Sequence, residues 1–302
     1  MDRWDGRTLM RTIAIGVKPV AYACTFESAG DALNVHVTVD DARCGDEIER
    51  VVRAMFVMPP PHFASLLLRD PIIAALDARY PGVRSVGQSN LFGALIRCIS
   101  TQQVNLRWAA TCRRRLAETF GRSHRVNGNL VYSLDPARLA TLEVADIRAL
   151  QFTNRKAEYI INVARVIASG GLTITILDRL TDEEIITRLT AIRGVGEWTA
   201  EWILARTLGR PRVVAGDLGV RKAVGIAYFG GMRPPENEVR RATAHWGESA
   251  AVAQALLLHA LAEKTLAEIA ANANGAGTPS AGAIPTRRRS AGNSPCASPR
   301  RP

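Results

Sequence analysis

Three absences narrow the class of this chain. It has no Cys-x-x-Cys pair, no long apolar run and no acidic residue after Glu268. The five cysteines, Cys24, Cys44, Cys98, Cys112 and Cys296, are odd in number and far apart. That argues against a disulfide framework, a zinc site on paired cysteines and an iron–sulfur cluster. It fits a reducing, cytoplasmic setting. No apolar stretch approaches the roughly eighteen residues of a membrane span. Arg3, Arg7 and Arg11 precede the apolar residues 12–17 and then Ala21-Tyr22-Ala23, the outline of a signal peptide. Lys18 and Pro19 interrupt that run, so the expectation is a chain that is not secreted.

What is present is a chain of 302 residues, 47% hydrophobic, enough for one large domain or two around a substantial core. The formal net charge is +11, and the arginines at 287, 288, 289, 300 and 301 supply five of it, leaving +6 on residues 1–271. A basic surface suits a polyanion such as nucleic acid and serves equally as a solvated surface.

Residues 1–62 read as a small α/β unit. Residues 22–26 and 33–39 alternate apolar with other residues, as half-buried strands do. Gly30-Asp31, shortly after Ser28, supplies a turn between them. Residues 46–58 carry helical periodicity through Ile48, Val51, Val52 and Met55, and Pro59-Pro60-Pro61 ends it. Residues 63–271 look helical almost without a break, with helices expected over 65–80, 90–120, 146–169, 182–192, 197–208, 218–229 and 236–271. Ser89-Asn90 and the capping box Thr181-x-x-Glu184 mark starts; Gly121, Gly170-Gly171 and Gly230-Gly231 mark stops. Residues 272–302 are Ala, Gly, Ser, Pro and Arg, a composition that reads as a disordered basic tail. The expected fold is mainly α with a small α+β N-terminal domain.

The segment 189–223 carries the chemistry. An amphipathic helix runs through Ile185, Ile186, Leu189 and Ile192 into Gly194-Val195-Gly196, and a second helix begins near Glu197. Glycine permits positive φ and close backbone approach. The free N–H groups of the second helix and its positive dipole end suit a phosphate oxygen, a contact that reads no base sequence. The same Gly-x-Gly also serves ordinary αα-hairpins. Next come Val213-Val214, the bend Ala215-Gly216, and Asp217 opening a helix that carries Arg221 and Lys222. Asp217 fits a plain N-cap. It also fits a carboxylate that stabilises the cation formed on deoxyribose when an N-glycosidic bond breaks.

Gly194-Val-Gly-Glu-Trp-Thr-Ala200 followed by Ala215-Gly-Asp-Leu-Gly-Val-Arg221 closely resembles the helix-hairpin-helix DNA glycosylase superfamily, the 3-methyladenine DNA glycosylase II type most of all. Asp70-Pro71, Leu91-Phe-Gly-Ala-Leu-Ile-Arg97 with Gln102-Gln103-Val104, and Asn154-Arg-Lys-Ala-Glu158 extend the resemblance over roughly residues 30–260. It implies a helix-hairpin-helix glycosylase fold with the hairpin at 182–208 and the catalytic loop at 213–222. It makes Asp217 the catalytic aspartate, and Gly194, Val195, Gly196 and Thr199 the grip on the phosphate backbone. It places Gln103 as the wedge that fills the gap left by a flipped nucleotide. Trp198 falls where bifunctional relatives carry a lysine nucleophile, so no Schiff base forms and no strand cleavage follows. The indole instead offers a π face to a cationic methylated purine, and core packing accounts for it equally well. Arg221, Lys222, Arg240 and Arg241 fit phosphate contacts and solvated faces equally well, and Arg221 is carried as a further DNA contact. The resemblance implies no redox or organic cofactor and no metal held by side chains, but a Na+ or K+ on hairpin carbonyls. The partner is damaged double-stranded DNA, bound by a monomer at the nucleoid.

The activity so implied is release of alkylated purines after base flipping. The rival readings are a non-catalytic DNA-binding module and a glycosylase for oxidised or deaminated bases. The sequence departs from the family pattern in three places. Trp246 is followed by Gly247-Glu-Ser, the aromatic expected near Leu258 is absent, and Gln151 stands where glycine is common. His245 and His259 have no evident partner.

Overall fold

Alternation along one central strand organises the N-terminal part. In the computed structural model, which describes residues 2–16, 18–29 and 32–275, strands Arg3–Trp4, Thr8–Ile15, Lys18–Ala29 and Ala32–Val39 form an antiparallel sheet in sequence order. Val20, Tyr22 and Cys24 face the helix Gly45–Met55 and bury against Ile48, Val52 and Met55. Ala21 and Ala23, on the other face with Met10, bury against Val126 and Val131. The period of two thus sandwiches the sheet between a helix and a hairpin. The strand Thr8–Ile15 covers most of the short apolar stretch that resembled a signal sequence. The expected turn at Gly30-Asp31 lies outside the described residues.

The hairpin on that second face falls between the helices expected over 90–120 and 146–169, so the part after Phe63 is not helix alone. Strands Arg122–Val126 and Asn129–Ser133 pair around Asn127 and Gly128, whose φ values are 49° and 73°. Asn-Gly favours the tight two-residue turn that these angles describe.

Four long helices expected from periodicity are also divided. Residues 65–80 split into Phe63–Arg69 and Pro71–Arg79, because Pro71 takes the N1 position and Asp70 caps the second piece. Residues 90–120 split into Leu91–Thr101 and Leu106–Phe120, with Gln103 at φ 54° and Asn105 capping the second. Residues 146–169 split into Val144–Arg148 and Asn154–Ala168, with Gln151 at φ 71°. Residues 236–271 split into Glu236–Thr243, a 3₁₀ segment Ala244–Ser249 kinked at Gly247, Ala250–Ala262 and Leu266–Gly275. That last helix continues past residue 272, where the tail was expected to begin; residues 276–302 lie outside the described residues.

The helices bury two separate cores. One joins Leu91, Leu95 and Ile99 to Ile160, Ile185, Ile203 and Leu204. The other joins Leu66, Ile73 and Leu76, early in the chain, to Val220, Val224, Trp246 and Leu257, late in the chain. No helix among the described residues is long and apolar enough to cross a membrane.

Asp70 is the polar pin of the second core. It is 2% exposed. Its Oδ1 accepts from the Ile72 and Ile73 N–H groups; its Oδ2 accepts from Tyr228 Oη at 2.7 Å and Trp246 Nε1 at 3.3 Å, and contacts His245 Nε2 at 2.8 Å. His245 therefore has a partner, far away in sequence. Burial alone would raise the carboxyl pKa, but these hydrogen bonds outweigh it and hold it below the ordinary 3.8. Asp70→Ala strands several buried donors and should cost on the order of 3 kcal/mol. A carboxyl whose pKa is lower folded than unfolded adds stability above about pH 4, lost as the pH falls through the folded value. Urea unfolding from pH 7 to pH 2 should show that loss in the wild type and a weaker pH dependence in Asp70→Asn.

Candidate active site

The site lies where the two cores meet. The first hairpin helix, Asp182–Thr190, starts with the expected capping box: Thr181 Oγ1 accepts from the Glu184 N–H and Glu184 answers at the Thr181 N–H. The chain turns through residues 191–196 into the second hairpin helix, Glu197–Arg206. Gly194 sits at φ 98°, and a Cβ there would lie 2.2 Å from Tyr159 Cγ, so both the backbone and its neighbour require glycine. Val195 is buried and its N–H donates to the Ile192 carbonyl at 2.9 Å. Gly196 is the N-cap of the second helix, and no side chain caps that end. A Cβ on Gly196 would meet nothing within 4 Å. The first-turn N–H groups, which have no intrahelical acceptor, thus open onto unoccupied surface at the positive dipole end. Thr199, expected as part of the grip, is only 1% exposed, so its hydroxyl does not face solvent.

Asp217 reaches this corner from the second core. The loop before it is held by the buried Gln254, whose Oε1 accepts from the Val214 N–H at 2.9 Å. The bend continues with Ala215 N–H to Val213 O and Asp217 N–H to Val214 O, both 3.0 Å. Asp217 then caps the helix Leu218–Tyr228: Oδ1 accepts from Gly219 N–H at 2.8 Å and Val220 N–H at 3.0 Å. Its Oδ2 accepts from Trp198 Nε1 at 3.3 Å. Asp217 is therefore the N-cap that one reading expected, and its other oxygen faces the hairpin. The carboxyl is half-buried. Trp198 is half-buried as well and spans the boundary to Asp217, whereas Trp202, one turn later, packs on the first core.

The remaining expected residues fall around this pair. Gln103 is exposed in its left-handed turn, beside Gln102, whose Nε2 donates to the Gly194 carbonyl at 3.0 Å. That bond ties the turn at Gln103 to the hairpin. Arg221 donates from Nε to the Pro234 carbonyl at 2.9 Å. Leu258 does stand in the site: its Cδ2 is 3.4 Å from where a Gly219 Cβ would lie, beside the Asp217 cap.

Three residues were missed from sequence, and a fourth, Arg240, weighed as a phosphate contact or a solvated face, is held in ion pairs. Gln102 and Gln254 brace the two loops. Glu201, fully buried on the second hairpin helix, accepts from Arg212 Nε at 3.2 Å and pairs with Arg240 across the boundary between cores. Arg240 also pairs with Glu197 at 3.1 Å and Glu236 at 2.5 Å. The signal for Gln254 and Glu201 was a lone polar residue on an otherwise buried helix stretch.

A sequence model of the HhH-GPD superfamily of base excision DNA repair proteins matches residues 96–249, a span that takes in both the hairpin and Asp217. The chain belongs to this superfamily. Among its relatives, the DNA-3-methyladenine glycosylase of Bacillus subtilis (strain 168) is 31% identical over 188 residues, 62% of each chain. The chain spans between half and two thirds of the length of the first curated relatives it matches. Among solved structures, the 3-methyladenine DNA glycosylase of Archaeoglobus fulgidus shares the fold, with a TM-score of 0.74 at 24% identity over 86% of this chain and 89% of that one. The Schizosaccharomyces pombe 3-methyladenine DNA glycosylase, solved in complex with abasic DNA, gives a TM-score of 0.52 at 25% identity over 63% and 89%. These HhH-GPD proteins are what the chain is similar to.

Proposed function

We propose that this HhH-GPD protein is a monofunctional DNA glycosylase that hydrolyses the N-glycosidic bond of alkylated purines of the 3-methyladenine type in double-stranded DNA. One observation carries the reading: the Asp217 carboxyl lies 3.3 Å from the indole N–H of Trp198, which sits in the first turn behind the open Gly196 corner. The names of the relatives support the substrate class.

In this reading each residue has a role. The Gly196 end of the hairpin holds a phosphate of the lesion strand through main-chain N–H groups. The damaged nucleotide leaves the stack, and alkylation lowers the cost of that step. Gln103, exposed on a turn braced by Gln102, enters the gap. The Trp198 ring takes the cationic purine by stacking and cation–π attraction. As the bond to the base breaks, positive charge gathers on the sugar and Asp217 stabilises it. Water completes the reaction and leaves an abasic site.

Trp198 gives the site an N–H and a π face but no amine, which supports hydrolysis without lyase chemistry. A monovalent cation, Na+ or K+, on the turn carbonyls belongs to this reading; Ile192 O and Gly194 O each accept one hydrogen bond and keep a second lone pair, which supports it. Such a cation would draw a phosphate oxygen to the turn.

Incubation with methylated duplex DNA, followed by chromatography of the freed bases, tests the reading. Release of 3-methyladenine and 7-methylguanine is expected. Tight DNA binding with no free base would contradict it. Borohydride added during turnover is expected to trap no covalent adduct; a trapped complex would contradict the monofunctional assignment.

A further inference from the structure

Away from Asp217, a cavity of about 650 Å³ opens between the N-terminal sheet, the helices Leu91–Thr101 and Leu106–Phe120, and the hairpin 122–133. Its charges do not balance. Arg3, Arg97, Arg113 and Arg114 line it, against Asp2 and Glu118. Both acids are already engaged: Asp2 pairs with Arg11 at 3.2 Å, and Glu118 lies 3.9 Å from Arg114. Arg3 donates to the Leu130 carbonyl. Arg113 is 8% exposed, and its one hydrogen bond goes to Ser100 Oγ at 2.7 Å. Among the described residues no carboxylate pairs with Arg3, Arg97 or Arg113. Burial and the neighbouring Arg97 charge push the Arg113 pKa down to about 10.

Burying a guanidinium is costly, and for Arg113 the one nearby carboxylate is Asp2, already paired with Arg11, while the Arg97 cation adds to the cost. A ligand bringing two negative charges would offset both penalties. The guanidinium fork suits the oxygens of a phosphate. The volume far exceeds a bare phosphate and matches that of small-molecule sites. Phe92, Leu130 and Leu134 give the cavity an apolar wall, and the Gln88 side chain stands there without a protein partner among the described residues.

We propose that this cavity binds a nucleoside phosphate, its phosphate on Arg97 and Arg113 and its base on the apolar wall. The phosphate comes from a free mononucleotide or from the phosphorylated end of a DNA strand. The site is separate from the Asp217 corner and does not depend on the glycosylase reading.

Calorimetric titration of the full chain with 2′-deoxyadenosine 5′-monophosphate tests it, alongside a 5′-phosphorylated trinucleotide and its 5′-hydroxyl counterpart. One-to-one binding that requires the phosphate is expected. Arg97→Glu, at an exposed position, should weaken it on the order of tenfold or more. Leu130→Trp, which narrows the cavity, should weaken it while base release from methylated DNA stays unchanged. Preference for the phosphorylated trinucleotide over the mononucleotide would assign the ligand to DNA ends. Absence of phosphate-dependent binding at millimolar concentration, or binding untouched by both variants, would overturn the proposal. Base release is read in a separate assay, so a protein inactive on methylated DNA can still pass or fail this one.

Discussion

Asp217→Asn is expected to slow base release about a hundredfold or more, with little change in melting temperature or in the grip on DNA. Asparagine is as good an N-cap as aspartate. Its Oδ1 can keep the bonds from Gly219 and Val220 that begin the helix Leu218–Tyr228. What disappears is the charge on the second oxygen, the one that faces Trp198. Placed there, an amide nitrogen also sets donor against donor. Asp217→Ala removes the cap too and should cost about 1 kcal/mol of stability. Single-turnover rates on a methylated duplex, read beside thermal unfolding of both variants, separate the two roles. A variant that melts far below wild type would show that Asp217 is mainly structural.

The two hairpin glycines should respond in opposite ways. Gly194→Ala places a Cβ 2.2 Å from Tyr159 Cγ on a backbone at φ 98°, which L residues rarely adopt. Tyr159 packs on the first core and cannot withdraw freely. The expected loss is several kcal/mol, on the order of 3 or more, visible as a large fall in the urea midpoint. Gly196→Leu meets open space at an extended backbone. It should leave stability within about 1 kcal/mol of wild type and weaken DNA binding alike for all sequences, because a side chain now stands where the phosphate would sit. Fluorescence anisotropy on unrelated duplexes checks the second outcome. Undiminished binding by Gly196→Leu would place the DNA elsewhere.

The elements legible in the sequence were those governed by rules within one turn of chain. The Thr181–Glu184 capping box, the Gly194 corner and the Asp217 cap each declare themselves within about four residues. The divided helices did not, because apolar periodicity runs on through the breaks. At Gln103 and Gln151 the chain takes positive φ without the glycine that usually announces it. Gln151, which stands where glycine is common in the family pattern, takes a left-handed backbone itself. Asp70-Pro71 and Asn127-Gly128 did carry readable signals, a capped N1 proline and a tight-turn pair, that the surrounding helical pattern outweighed. The partners of His245 and Glu201 were beyond sequence reading, since the fold alone brings Asp70 and Arg240 to them.

The central claim is that Asp217 faces a sugar carrying positive charge while the hairpin holds its strand. Competition between two abasic duplexes tests it most directly, one with a neutral tetrahydrofuran at the lesion and the other with a protonated pyrrolidine ring. Wild type should prefer the cationic ring by on the order of a hundredfold, and Asp217→Asn should lose most of that preference. Equal affinity of wild type for the two duplexes would contradict the account.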